Sequence, residues 1–169
     1  MSRKRTFAVD PEAIARAAGI EFVRVDLTAK IARNDEGLKD CERMRRHMCG
    51  VYGPPTSKRP ELIIVNSAAS QYVQRLTIGH ELAHAVHWRA GVYQPLHVHT
   101  DGPKIGFAEK DTKETRAACN NLAAEILIPA DKLVAEILSW QYIYEQDLAE
   151  AFGVPVRVMR KRLKGLGLL

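Results

Sequence analysis

The chain has 169 residues, 46% of them hydrophobic and 27% charged, the make-up of an ordinary globular protein. Such a chain buries a core without disulfide staples, and no apolar run approaches the roughly 20 residues that span a bilayer. Net charge is +5, which equals the contribution of Arg157, Arg160, Lys161, Arg162 and Lys164 alone, so the remainder is balanced. This C-terminal cluster suits nucleic acid or an acidic partner surface; a solvated helix face accounts for it equally well.

The start, MSRKRTFAVDPE, is basic but has no apolar stretch behind it, so it does not read as a secretory signal. Three cysteines, Cys41, Cys49 and Cys119, are odd in number and lack CxxC spacing. That argues for a reducing compartment and against a cysteine-based zinc knuckle. Cytoplasmic residence is the expectation.

In chain order, Asp10-Pro11 opens a short helix, with Asp as N-cap and Pro at the first helical position, closed by Gly19. IEFVRVDL (20–27) alternates like a half-buried strand. Residues 28–60 carry turn-like and breaker-rich stretches and yield no clear element. ELIIVN (61–66) reads as a buried strand. Ser67 or Ser70 then caps a long helix, QYVQRLTIGHELAHAVHWRA, closed by Gly91. Its apolar positions Val73, Leu76, Leu82, Ala83 and Val86 leave little solvent-facing surface, which predicts a central helix. A Gly/Pro-rich loop occupies 91–112. A second helix runs from about 112 to Ile128, and a third starts at Pro129-Ala130-Asp131 and continues through KLVAEILSWQYIYEQ. The last stretch reads helix, turn at Gly153–Pro155, helix. The order predicts an α+β fold with a small sheet.

His80-Glu81-Leu82-Ala83-His84 is an HExxH sequence within the long predicted helix. At i and i+4 the imidazoles project from one face about a turn apart, close enough to hold one ion. Neutral imidazole is a good zinc ligand. Glu81, offset by about 100°, flanks the ion and can take a proton from water and pass it to a leaving amine. Two histidines on an apolar helix face are costly unless hydrogen-bonded or metal-bound; the competing interpretation is a pair of satisfied core histidines. Zn2+ is expected, with Mn or Fe able to fill the same site.

Zinc needs a third protein donor and an open position. His87 shares the face but lies about 10 Å along the helix from His80, so it is expected to pack or hydrogen-bond at the helix end. The HExxHxxGxxH extension fails at His87 and Ala90. His97 and His99 alternate along an extended segment, where they stabilise a transition state or are simply exposed. The third donor is best sought on KETRAACNNLAAEILIP, whose Ala117, Ala118, Ala123 and Ala124 let it press on the metal helix. Its carboxylates are Glu114 and Glu125.

With these motifs in place, the sequence resembles the ImmA/IrrE family of metallopeptidases. The resemblance rests on ELIIVNSAASQYVQRLTIGHELAHAVHW (61–88), ACNNLAAEILIP (118–129) and the tail LAEAFGVPVRVMRKRLKGLGL, and covers roughly residues 10–169. Asn66 and Arg75-Leu76-Thr77 stand where the family has a strand-ending Asn and an Arg…Thr stretch; Asn120 and Leu122 to Pro129 match its later helix. The resemblance implies a helical zincin-like core, with a small N-terminal sheet packed on it and a helix-turn-helix-like C-terminal segment. It implies a peptidase domain over 1–145 and the tail over 146–169. It also implies zinc on His80 and His84, Glu81 as acid/base, and a helix-turn-helix repressor of a phage, mobile element or stress regulon as substrate. One departure matters: the family's Glu ligand, four residues before the Asn, is Arg116 here. Glu114 is the chosen third ligand, serving from an irregular first turn; Glu125, Glu109, Asp111 and His97 are the alternatives. A non-catalytic regulatory or DNA-binding protein on the same scaffold is the competing function: Arg116 favours the loss of catalysis, while the basic helix-turn-helix-like tail, which family members often share, does not separate the two.

Overall fold

The computed structural model describes residues 8–26, 49–92, 113–139 and 144–169. Helix α1 (Pro11–Ala17) begins where the Asp10 carboxylate accepts the N–H groups of Glu12 and Ala13, at 3.0 and 3.2 Å. These are orphan donors of the first turn. The chain turns at Gly19 into strand β1 (Glu21–Val25). Among the described residues, two further strands, β2 (Gly50–Gly53) and β3 (Leu62–Asn66), join it in a sheet of order β1-β3-β2. β1 runs parallel to β3 and β2 antiparallel to it.

The central strand is the apolar run seen in the sequence, as a strand flanked on both sides should be. Ile63 and Val65 are fully buried and meet Ile78, Leu82 and Ala85 of helix α2 (Gln71–Arg89). Ser70 is the residue that caps α2, its Oγ accepting the Val73 N–H at 3.4 Å. At α2's far end, the Arg89 guanidinium grips the buried Glu61 carboxylate and the Ala18 carbonyl, while Tyr52 Oη donates to Glu61 at 2.6 Å. One carboxylate thus ties β2, the start of β3 and the end of α2 together.

Four more helices follow: α3 (Lys113–Leu127), α4 (Ala130–Ser139), α5 (Glu145–Phe152) and α6 (Val156–Gly165). Leu127, Ile128 and Leu133 share one buried cluster with Leu148, Phe152, Met159 and Leu163, and Leu76 of α2 and Val156 pack against it. The C-terminal pair therefore completes a core rather than hanging from it. Arg75 fastens it to α2 by donating to the carbonyls of Phe152 and Gly153 (3.4 and 3.2 Å) and, at the other end of the chain, of Val9 (2.8 Å). Among the described residues no helix is long and apolar enough to cross a membrane.

Among the described residues the architecture is α+β with a small three-stranded sheet, as expected, with three local corrections. Strand β2 lies in the stretch that yielded no element. GVYG has weak strand propensity, and pairing with β3 recruits it. The third helix, expected to run through residue 146, is described over Ala130–Ser139; residues 140–143 lie outside the described residues, and Tyr144 has extended backbone (φ −97°, ψ 143°) ahead of α5. Val86, expected inside, is 47% exposed: α2 is covered on the faces meeting the sheet and α3 but not all round.

Candidate metal centre

His80, Glu81 and His84 sit in the second half of α2, where the helix is wedged between the sheet and α3. Thr77, Ile78, Gly79, Glu81, Leu82, Ala83 and Ala85 are all buried. Gly79 permits the close approach of α3: a Cβ there would stand 3.1 Å from Leu127 Cδ1 and 3.5 Å from Ala123 Cβ. Of the four alanines expected to press on α2, Ala123 and Ala124 are buried, while Ala117 and Ala118 are exposed. The helices meet along the 119–123–127 side.

The two imidazoles face each other. His80 Nε2 and His84 Nε2 are 3.1 Å apart, with ring centroids at 4.7 Å and planes at 76°. Their other nitrogens are taken by consecutive residues of α3. His80 Nδ1 lies 3.1 Å from Asn120 Oδ1, and His84 Nδ1 lies 3.6 Å from Cys119 Sγ. An acceptor on Nδ1 places the proton there and leaves Nε2 with its lone pair. With Asn120 Oδ1 as the acceptor, His80 would carry its proton on Nδ1, since a carbonyl oxygen can only accept. Two nitrogens on a tetrahedral zinc at about 2.0–2.1 Å stand about 3.3–3.4 Å apart, close to the spacing seen. The two Nε2 atoms would suit two of the ligands of a single divalent ion.

Glu81 is 8% exposed and lies beside edge strand β2. A Cβ added to Gly50 would meet Glu81 Cγ at 3.6 Å and Thr77 Cγ2 at 2.4 Å. Strand β2 thus packs against the part of α2 that carries Thr77 and Glu81.

The other expected site residues are placed differently. Glu114 is exposed in the first turn of α3. Six residues before Asn120, it is about 120° from Asn120 around a regular helix, so the structure does not bring it to the pair. Position 116, one turn before Asn120, shares Asn120's face and holds Arg116. Glu125 points away, bound by Arg162 at 3.2 Å. Among the described residues no three His, Cys, Asp or Glu side chains form a group that could hold a metal, so His80 and His84 stand as two donors. His97, His99, Glu109 and Asp111 lie outside the described residues. His87 hydrogen-bonds near the end of α2, as expected, with its Nδ1 3.5 Å from Cys119 Sγ.

The basic cluster on α6 divides. Arg160 pairs with Glu145 at 2.7 Å, and Arg162 reaches Glu125 and the Ile128 carbonyl. Both are staples between helices. Arg157, Lys161 and Lys164, spaced i, i+4, i+7, form an exposed stripe along one face.

Sequence reasoning missed the roles of Cys119 and Asn120. Their adjacency to the alanine pair that packs on α2 was the available signal, because residues three and four apart share a helix face. Nothing local pointed to Gly50, whose place beside Glu81 is set by strand pairing.

Searches of curated proteins and of solved structures each returned no match. The model of the IrrE N-terminal-like domain, a peptidase family (M78), matches residues 46–164. That span starts just before β2 and ends within α6, enclosing the imidazole pair, the buried acid and the helix that orients them. This chain belongs to the ImmA/IrrE family of metallopeptidases.

Proposed function

We propose that the chain is a zinc-dependent endopeptidase of the cytoplasm that cleaves a helix-turn-helix transcriptional repressor and so relieves repression. The observation that carries the reading is the facing pair of Nε2 atoms at 3.1 Å, each ring's Nδ1 engaged by α3, with Glu81 buried alongside. His80 and His84 would hold the ion. When bound, it supplies Lewis-acid chemistry, polarising the scissile carbonyl and making water a nucleophile near neutral pH. Glu81 accepts the water's proton on a carboxylate oxygen and delivers it to the leaving amine nitrogen. Glu81 is buried beside β2, one residue along α2 from His80. The repressor as substrate rests on family membership alone.

Metal analysis of the chain purified without chelator, combined with cleavage of a candidate repressor, tests this. Wild type carries about one zinc and cuts, whereas Glu81→Gln keeps the metal and loses about 10²–10⁴-fold in rate, the range for a lost acid/base. A Glu81→Gln protein as active as wild type overturns the mechanism. A metal-free, inactive wild type favours the non-catalytic scaffold, in line with Arg116.

A second reading concerns the tail. The stripe Arg157, Lys161 and Lys164 forms no ion pair among the described residues and suits the phosphates of a duplex. Changing these three to Ala should reduce the salt slope of duplex binding by up to about 2.7 and leave thermal stability unchanged. Unaltered binding in that variant refutes it.

A further inference from the structure

Cys119 is fully buried at the contact of α3 with α2, and it touches two imidazoles. Its Sγ lies 3.6 Å from His84 Nδ1 and 3.5 Å from His87 Nδ1, ordinary hydrogen-bond lengths for sulfur. A thiol has one proton to donate and a sulfur that accepts weakly. It can therefore donate to one ring while accepting from the other, and the two choices of direction differ in consequence. If S–H donates to His87 Nδ1, the sulfur accepts from His84 Nδ1–H, and His84 Nε2 carries a lone pair towards His80. If S–H donates to His84 Nδ1, the proton of His84 sits on Nε2 and is donated to His80 Nε2 at 3.1 Å, and a metal would have to displace it.

We infer that Cys119 is a positioning residue for the metal: with an ion bound it would donate to His87 and accept from His84, orienting the His84 ring and presenting its Nε2 as a ligand. His87, one turn beyond His84 on α2, is then the acceptor that sets the direction of the thiol. Asn120, the next residue of α3, does the same service for His80 through its Oδ1. Two consecutive residues of one helix thus fix both rings, because i and i+1 reach neighbouring points along the facing helix. The inference rests on the metal reading of the His80–His84 pair and adds to it a residue outside HExxH.

The test is zinc affinity of the full chain by competition with a chromophoric chelator, for wild type, Cys119→Ala, Cys119→Ser and His87→Phe. Removing an outer-shell partner weakens metal binding about 10–100-fold. Cys119→Ala should lose that much. Cys119→Ser, which keeps a donor and an acceptor, should stay within about threefold of wild type, and His87→Phe should fall between. Thermal unfolding of the metal-free variants separates positioning from packing, since Ala and Ser are to differ in zinc affinity more than in metal-free stability. Should Cys119→Ala fail to fold, Cys119→Val fills the volume without a hydrogen bond and takes its place. Cobalt substitution adds a check: a sulfur-to-cobalt charge-transfer band would make Cys119 a ligand and overturn the inference. So would wild-type affinity in Cys119→Ala. A wild-type chain that binds no zinc refutes the metal reading itself, whereas tight wild-type binding with an indifferent Cys119→Ala refutes only the role of the thiol.

Discussion

Gly50→Ala is a sharp probe of how β2 is seated against the site, because its sign depends on space alone. In an open strand position Ala is better than Gly by about 0.5–1 kcal/mol, since Gly loses more conformational freedom on folding. At position 50 the added Cβ would stand 2.4 Å from Thr77 Cγ2 and 2.8 Å from the Ile64 carbonyl oxygen. Ordinary carbon contacts are about 3.5–4.0 Å, so the overlap with Thr77 exceeds about 1 Å. Neither neighbour yields easily. Thr77 is buried in a helix, where β-branched side chains have few rotamers. Ile64 O is backbone of the central strand, and Gly50 itself pairs with Val65 beside it. Relief requires β2 to lift from β3 or α2 to shift, and overpacking of this kind costs about 1–3 kcal/mol. The upper half of that range fits two rigid neighbours, a fall in Tm of about 4–12 °C for a chain of this size. Thr77→Ser removes the clashing methyl and keeps the hydroxyl. In a double-mutant cycle it should recover about 1 kcal/mol of the loss, a coupling typical of residues in contact. Thermal and urea unfolding of the four proteins measures this. A Gly50→Ala protein as stable as wild type or more so, or a cycle with no coupling, would refute the seating of β2 on Thr77 and with it the placing of the strand beside Glu81.

Arg75→Ala removes a guanidinium shared among the carbonyls of Val9, Phe152 and Gly153; with charged hydrogen bonds at about 1.5–3 kcal/mol and strong non-additivity, a loss of about 2–4 kcal/mol is expected. Hydrogen exchange should quicken in α5 and α6 more than in β3, and Arg75→Lys should not restore protection, since an ammonium lacks the planar fork; uniform exchange across the chain would refute the staple. Partial burial raises the Glu12 carboxyl and the guanidinium groups of Arg16 and Arg24 more than offset this, leaving it below the ordinary carboxylate value. A depressed folded value means that its contribution is complete above the unfolded value of about 4.3 and is lost as pH falls through the lower folded one. The stability gap between wild type and Glu12→Gln should therefore be constant at neutral pH and shrink below about pH 4, and a gap that holds to the lowest measurable pH contradicts the pairing.

What the sequence by itself determined is everything that repeats on a short period or depends on a single residue's conformation. Asp10-Pro11 and a cap at Ser67 or Ser70 could be read as helix starts, Gly153–Pro155 as a turn, and Ile63 with Val65 as a buried strand, because caps, positive φ and alternation act within a few residues. The pairing of His80 with His84 was legible for the same reason: a helix brings i and i+4 together whatever surrounds it. Only the tertiary structure decided what surrounds them. Cys119 and Asn120 reach the rings because α3 packs on α2 along its 119–123–127 side, and Gly50 reaches Glu81 because a strand of weak propensity pairs with β3. The same holds for the basic tail, where charge count could not separate Arg160 and Arg162, folded inward as staples, from the outward stripe of Arg157, Lys161 and Lys164. Contacts between residues distant in sequence depend on how whole elements pack, and no local pattern encodes that packing.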